Sequence, residues 1–294
     1  PAASHRVSTS LLAHSTRPIG RRYTTISCRH NNVAAFAKRL VAKPEFGPFV
    51  LLVAMVFVFW HLNPAFLSLR NIGNTLAFSV ELGLIALAMT LLMTSGEFDL
   101  SVGSLFGFSP VLMWTLFNTG FASIEISFIM ALAAASGIGL ISGLFVTRLK
   151  IPSFLVTLGM LLVVRGTALY VTNGFPQRTW NARELALAEL LVGDHTFAGL
   201  RLHMSLLWFI TAAILLSALL TRTRTGNWIQ ACGGNANAAH ARGVDVSTTK
   251  IKLFMLSAAM AGLAGIISSI RTAAANPNSG TGYELEVIAM VVIG

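Results

Sequence analysis

Charge is scarce in this chain. Only 11% of its residues are Asp, Glu, Lys or Arg, against a hydrophobic share of 54%, whereas soluble domains carry about 25% charged residues. So little charge over 294 residues excludes water as the solvent of most of the surface and leaves the bilayer. Cysteine is nearly absent. Cys28 and Cys232 fit neither a CxxC nor a metal-ligand spacing, which excludes a disulfide framework or a zinc site, and no disulfide is expected. Also missing is GxxxxGK[ST], so the chain does not itself cradle ATP, and neither HExxH nor GxSxG occurs. His61, His195, His203 and His240 are scattered and suit interface or loop positions. Without a nucleophile, metal or acid–base cluster, enzyme chemistry is not expected, and transport or a structural role is.

What charge there is lies unevenly. Residues 1–45 hold eight basic residues and one acid, Glu45, out of a net charge of +10 for the whole chain. Residues 1–43, rich in Arg, Ser and Thr and free of acids, resemble a transit peptide in composition and read more plainly as a disordered cytoplasmic arm or an upstream translation artefact. No folded basic face with interleaved aromatics follows, so nucleic acid is not the expected partner. A basic tail beside a membrane span suits topology and anionic lipid instead.

Runs of roughly 20 apolar residues predict membrane-crossing helices. They fall at about 46–67, 72–93, 100–118, 121–147, 151–172, 204–220 and 251–271, and an eighth apolar segment starts at Leu285. The fold class expected is therefore all-α, a polytopic transmembrane bundle with domain limits 46–294. Ten residues after Leu285 rise only about 15 Å as a helix, half a bilayer, so truncation inside a longer protein is expected. With the N-terminus inside, the inner segments carry fourteen basic residues and the outer ones four, which is the favoured orientation. Small residues in the fourth and seventh spans, such as Gly139, Gly143, Gly262 and Gly265, allow close helix approach.

Two charges fall inside spans, Glu81 in the second and Arg165 in the fifth. Such charges must face protein or a wet cavity. They suit a polar lining of a pathway, a mutual ion pair, or structural residues bonded to backbone carbonyls. Between spans, TSGEFDLSVGS at 94–104 offers Asp99 and Ser101 as caps for the following helix. ANPNSGTGYE at 275–284 has Pro277 to end a helix, Gly280 and Gly282 to turn, and Tyr283 and Glu284 at the next helix start. GEFDLSVG and GYELEVIA are loosely alike and lie five spans apart, an odd offset compatible with an inverted repeat. A third segment, GNWIQACGGNANAAHARG at 226–243, is polar and small-residued between basic flanks at Arg222, Arg224, Lys250 and Lys252. It is too polar to span and too uncharged to be disordered, so it must pack at the membrane face.

Together these segments resemble the permease subunits of bacterial ABC importers for monosaccharides, of ribose, xylose and arabinose type. The 95–104 segment is similar to SGGIDLSVGS, with Glu97-Phe98 in place of the commoner Gly-Ile. Gly226, Ala231, Gly233, Gly234, Asn235, Ala238, Ala239 and Gly243 match the family's ATPase-coupling pattern. Pro277, Gly280, Gly282, Tyr283, Glu284, Leu285, Ile288 and Ala289 match a third. Thr157-Leu158-Gly159-Met160 and Arg165-Gly166 also look like the family. The resemblance covers about 46–294 and implies roughly ten spans in a full chain, eight of them here. It implies a separate cytoplasmic ATPase docked on 226–243, a periplasmic binding protein, a second permease chain in a homodimer, and a bacterial inner-membrane location. ATP would be bound by the partner, with no cofactor or metal in this chain. Amino acids or nucleosides are alternative cargoes, and a self-powered secondary transporter is the alternative mechanism.

Overall fold

The structure is a computed structural model that describes residues 46–179, 185–197 and 200–293. The basic tail expected at 1–45, Cys28 included, lies outside the described residues. From Phe49 onward the chain forms one compact unit.

All eight apolar segments fold as helices. α1 spans Phe46–Leu62, α2 Leu69–Thr94, α3 Val102–Asn118, α4 Ile124–Arg148 and α5 Ser153–Thr172. α6 covers Ala186–Val192, α7 Met204–Arg222, α8 Arg224–Gly234, α9 Ala236–Ala241, α10 Val246–Thr272 and α11 Tyr283–Ile293. A 3₁₀ turn at Pro64–Leu67 and two small antiparallel ladders complete the described secondary structure. β1 (Gln177–Arg178) pairs with β4 (Ala274–Ala275), and β2 (Asp194–Phe197) with β3 (Leu200–His203). α2, α4, α5, α7 and α10 are long and apolar enough to cross a membrane, while α1 and α3 are apolar helices of 17 residues.

Helix starts follow the polar residues that precede them. Ser68, Ser123 and Asp245 each accept a backbone N–H of the first turn of α2, α4 and α10, satisfying donors that have no partner within the helix. α5 ends at Asn173 in the left-handed conformation, φ 51°.

The core is built around α10, which packs on α2, α3 and α4. α4 and α10 approach closely at Gly139, where a Cβ would stand 2.5 Å from the Phe254 carbonyl oxygen and 2.8 Å from the Cβ of Ala258. Gly262 of α10 faces Ser109 of α3, and Gly265 lies against the Phe106 backbone. The small residues read in the sequence thus do bring backbones together, which is how helices associate where lipid removes the hydrophobic drive. Within this core the Trp114 Nε1 donates to Ser269 Oγ at 3.1 Å, tying α3 to α10. α1, by contrast, buries none of its residues.

The region 173–203, between the fifth and sixth apolar runs, contains β1, α6 and the paired strands β2 and β3. Alternating short apolar stretches of this kind are too brief to signal structure by periodicity.

Candidate functional site

α2 ends at Thr94, and the next residues turn sharply. The Ser95 hydroxyl donates to the Leu92 carbonyl at 2.7 Å, and Gly96 sits at φ +86°. Asp99 is fully buried in this turn. Its Oδ1 accepts the Ser101 N–H at 2.8 Å and the Ser101 hydroxyl at 2.6 Å, while Oδ2 has no hydrogen-bond partner. Burial pushes the Asp99 carboxyl up to about 6, against the pull of both Ser101 bonds. The expected capping is corrected here. Ser101 makes no side-chain cap bond to α3, because its hydroxyl is turned back onto Asp99. The pair closes an Asx-type turn that leads into the helix rather than capping it.

The 275–284 segment comes to meet α3. Gly280 and Gly282 hold φ values of +78° and +90°, a backbone that L-residues rarely adopt. A Cβ on Gly107 would stand 2.8 Å from the Pro277 carbonyl oxygen and 2.9 Å from that of Ser279. One turn earlier, Gly103 faces the Glu284 carboxyl and the Gly280 carbonyl. The Phe106 and Tyr283 rings meet edge to face at 5.0 Å. Glu284 Oε1 accepts the Gly282 N–H at 3.3 Å. Arg165 of α5 reaches this turn as well, donating from one terminal nitrogen to the Asn278 carbonyl at 3.3 Å and to the Thr281 hydroxyl.

Glu81 stands elsewhere, and its pairing with Arg165 is corrected. Its partner is Arg271 in the last turn of α10, with Nε at 2.9 Å and a terminal nitrogen at 2.6 Å from Glu81 Oε1. The Arg271 guanidinium also lies 3.8 Å over the Phe78 ring. Sequence reasoning missed Arg271 because it sits at the very end of an apolar run. A second cation at a span edge was the signal that could have found it.

The 226–243 segment folds as α8 and α9. Thr223 Oγ1 accepts the Gly226 N–H at 3.1 Å, and Asn235 Oδ1 accepts the Ala238 N–H at 3.0 Å, so each helix has its own N-cap. Gly243 ends the segment at φ +84°. One face turns inward, where Gly226, Ile229, Cys232 and Ala239 are buried and Ala231 is half-buried. The free thiol of Cys232 is pushed up by that burial. The other face, with Trp228, Gly234, Asn235, Ala238 and Gly243, is exposed. Gly233 is exposed on one side and on the other lies against the Thr94 carbonyl. Its Cα would be 3.8 Å from a Cβ on Gly96. Nearby, Lys250 Nζ of α10 pairs with Glu97 Oε1 at 2.6 Å.

One ten-residue segment therefore touches two others. At its start, 95–97 meets α8 and Lys250. At its end, Gly103 meets the 275–284 turn. The predicted residues fall into three groups: the α8–α9 face, the Asp99–Ser101 turn, and the Arg165–Tyr283–Glu284 cluster. Glu81 with its partner Arg271 forms a fourth polar group, and both charges act electrostatically on Tyr283 of the third. Among the described residues, no group of three or more His, Cys, Asp or Glu could hold a metal ion.

A bundle of apolar helices carrying a polar, small-residued pair of helices at one end, and a broken helix packed on a tight turn within, defines a multi-pass membrane permease. The chain belongs to the family described as branched-chain amino acid transport system / permease component, which matches residues 71–294. That is a family of transport permeases and not of enzymes. The chain is 32% identical over 251 residues to the ribose import permease protein RbsC of Escherichia coli strain K12, covering 83% of this chain and 75% of the relative. It is 36% identical over 233 residues to the inner membrane ABC transporter permease protein YjfF of the same strain, covering 79% and 69%. It is 32% identical over 262 residues to the xylose/arabinose import permease protein XylH of Sulfolobus acidocaldarius, covering 87% and 71%. No solved structure matches the chain significantly.

Proposed function

We propose that this chain is the membrane-spanning subunit of an ATP-driven importer that carries a monosaccharide across the inner membrane, with its N-terminus on the cytoplasmic side. The relatives' names supply the cargo class, since two of them are import permeases for ribose and for xylose/arabinose. The observation that carries the mechanism is the double contact of the 95–104 segment. A cytoplasmic ATPase docks on the exposed face of α8 and α9. Movement of α8 is received at Gly96 through Gly233 and passed along the segment to Gly103. There it displaces the 275–284 turn, which Arg165 fastens to α5. Arg165, Tyr283, Glu284 and the Asp99–Ser101 turn line or support the sugar's route. A second copy of the chain completes the pathway, and a periplasmic binding protein delivers the sugar to the opposite face.

The test is reconstitution of the permease with its ATPase subunit in proteoliposomes, reading ATP-dependent uptake of ribose, xylose and arabinose. Uptake of one pentose, lost on substituting Ala238→Glu, supports the reading. Failure of the permease to associate with any ATPase subunit, or uptake driven by an ion gradient without ATP, overturns it.

A further inference from the structure

A cavity of about 350 Å³ opens between α2, α7, α8 and the start of α10. Its floor is apolar, made by Leu219, Ile229 and Leu256. Its rim is not. Asp245, Thr248 and Lys252 line it along α10. Asp245, Lys252 and Leu256 follow at intervals of seven and four residues, which places them on one stripe of the helix. At 1.5 Å per residue, Lys252 lies about 10 Å and Leu256 about 16 Å along the axis from Asp245.

The order of these groups is informative. Asp245 is the N-cap residue, at the end of the helix farthest from the bundle's centre. Its carboxyl is held below the usual carboxylate range by the Thr248 hydroxyl and N–H and, to a smaller extent, by the Arg148 charge near it, so it is an anion at neutral pH. Next comes a lysine, then leucines. Among the described residues neither Asp245 nor Lys252 is in an ion pair. The level is that of the membrane surface, since α7 ends and α8 starts here with Arg222 and Arg224, and Trp228 is 43% exposed on the rim. Tryptophan and basic residues collect at this depth.

We propose that this cavity binds a phospholipid with a primary-ammonium headgroup. The sequence acid, base, apolar floor matches, from surface to interior, an ammonium, a phosphate and an acyl chain. Asp245 takes the ammonium, whose N–H groups make charge-assisted hydrogen bonds that a quaternary amine cannot make. Lys252 takes the phosphate, and Leu219, Ile229 and Leu256 the first part of the chain. An anionic lipid without an amine would meet Lys252 equally well but place its headgroup against Asp245. The bound lipid sits between α8 and α10, and so stiffens the seat of the helix that faces the ATPase. The site requires the bundle alone and stands whether or not the importer reading holds.

The experiment uses the intact permease in bilayer nanodiscs of phosphatidylcholine and phosphatidylglycerol, doped with phosphatidylethanolamine carrying a photoreactive group in its acyl chain. Labelling is expected on peptides containing Trp228 or Leu256. Unlabelled phosphatidylethanolamine competes, and phosphatidylcholine does not. The double substitution Asp245→Asn, Lys252→Gln keeps the side-chain oxygen that caps α10 and should reduce labelling about fivefold, the equivalent of about 1 kcal/mol. Thr225→Trp, which crowds the mouth, should reduce it while leaving both charges. Equal competition by phosphatidylcholine, or labelling indifferent to these substitutions, overturns the proposal. So does a photoreactive residue at position 225 that captures the ATPase subunit rather than lipid.

Discussion

The carboxyl of Glu284 occupies the space that a Cβ on Gly103 would need. The Gly280 carbonyl stands against the same point, so the obstruction is partly backbone. Gly103→Ala should destabilise the protein by about 1–3 kcal/mol through overpacking. Shortening Glu284 to Ala in the same chain should recover only part of this, because the carbonyl remains. Gly137→Ala, where nothing lies within 4 Å, should be neutral or slightly stabilising. Thermal unfolding of the four proteins in one detergent checks all three statements.

Glu81 is buried and Arg271 partly so, and removing Arg271 strands the Glu81 carboxylate. Arg271→Gln alone should cost about 3–5 kcal/mol, and adding Glu81→Gln should restore much of that loss. Arg165→Gln should show no coupling to Glu81→Gln beyond about 0.5 kcal/mol, since the two residues share no partner. Two double-mutant cycles, one for each arginine, separate these outcomes.

Asp99 predicts a pH dependence of defined sign. Its folded value, about 6, lies above the ordinary 3.8. The folded state therefore holds the proton more tightly, and the contribution is fully present below the ordinary value. It is lost as pH rises from about 4 through about 6. Asp99→Asn keeps an oxygen for both Ser101 bonds and cannot ionise. It should flatten the unfolding temperature across that window and stabilise the protein at neutral pH by about 1–3 kcal/mol. Melting curves of the two proteins between mildly acidic and neutral buffer provide the comparison.

The two faces of α8–α9 should respond differently to one added charge. Ala238 is exposed and Ala239 is 4% exposed. Ala238→Glu should leave the melting temperature unchanged and abolish stimulation of the ATPase. Ala239→Glu should lower the melting temperature by burying an unpaired carboxylate, a loss of several kcal/mol. If Ala238→Glu leaves stimulation intact, the docking face is elsewhere.

Every apolar run long enough to cross a bilayer was legible, because a span is specified by length and composition alone. So was the packing role of Gly139 and Gly262, which a small residue within an apolar run announces. The partner of Glu81 was not, since pairing between α2 and α10 depends on how two distant spans are rotated and on where each one ends. The same holds for Gly233. Its residue type suited a surface that receives another protein, yet its backbone rests on Thr94. A bulky change there disturbs this chain's own packing before it reaches any partner. Ser101 suited a helix cap by position, and only the burial of Asp99 explains why its hydroxyl points backward. The short ladders and α6 carry no periodic signal at all.

The contacts at the two ends of the 95–104 segment share a property. Gly96 meets Gly233, and Gly103 meets the Gly280 carbonyl beside the Glu284 carboxyl, so main chain rests on main chain at both ends, with one side chain added at the second. Side chains at a contact can change rotamer and absorb part of a displacement. Peptide planes cannot. On the proposed reading, a linkage made this way would carry a shift from one end to the other with little of it spent on side-chain rearrangement.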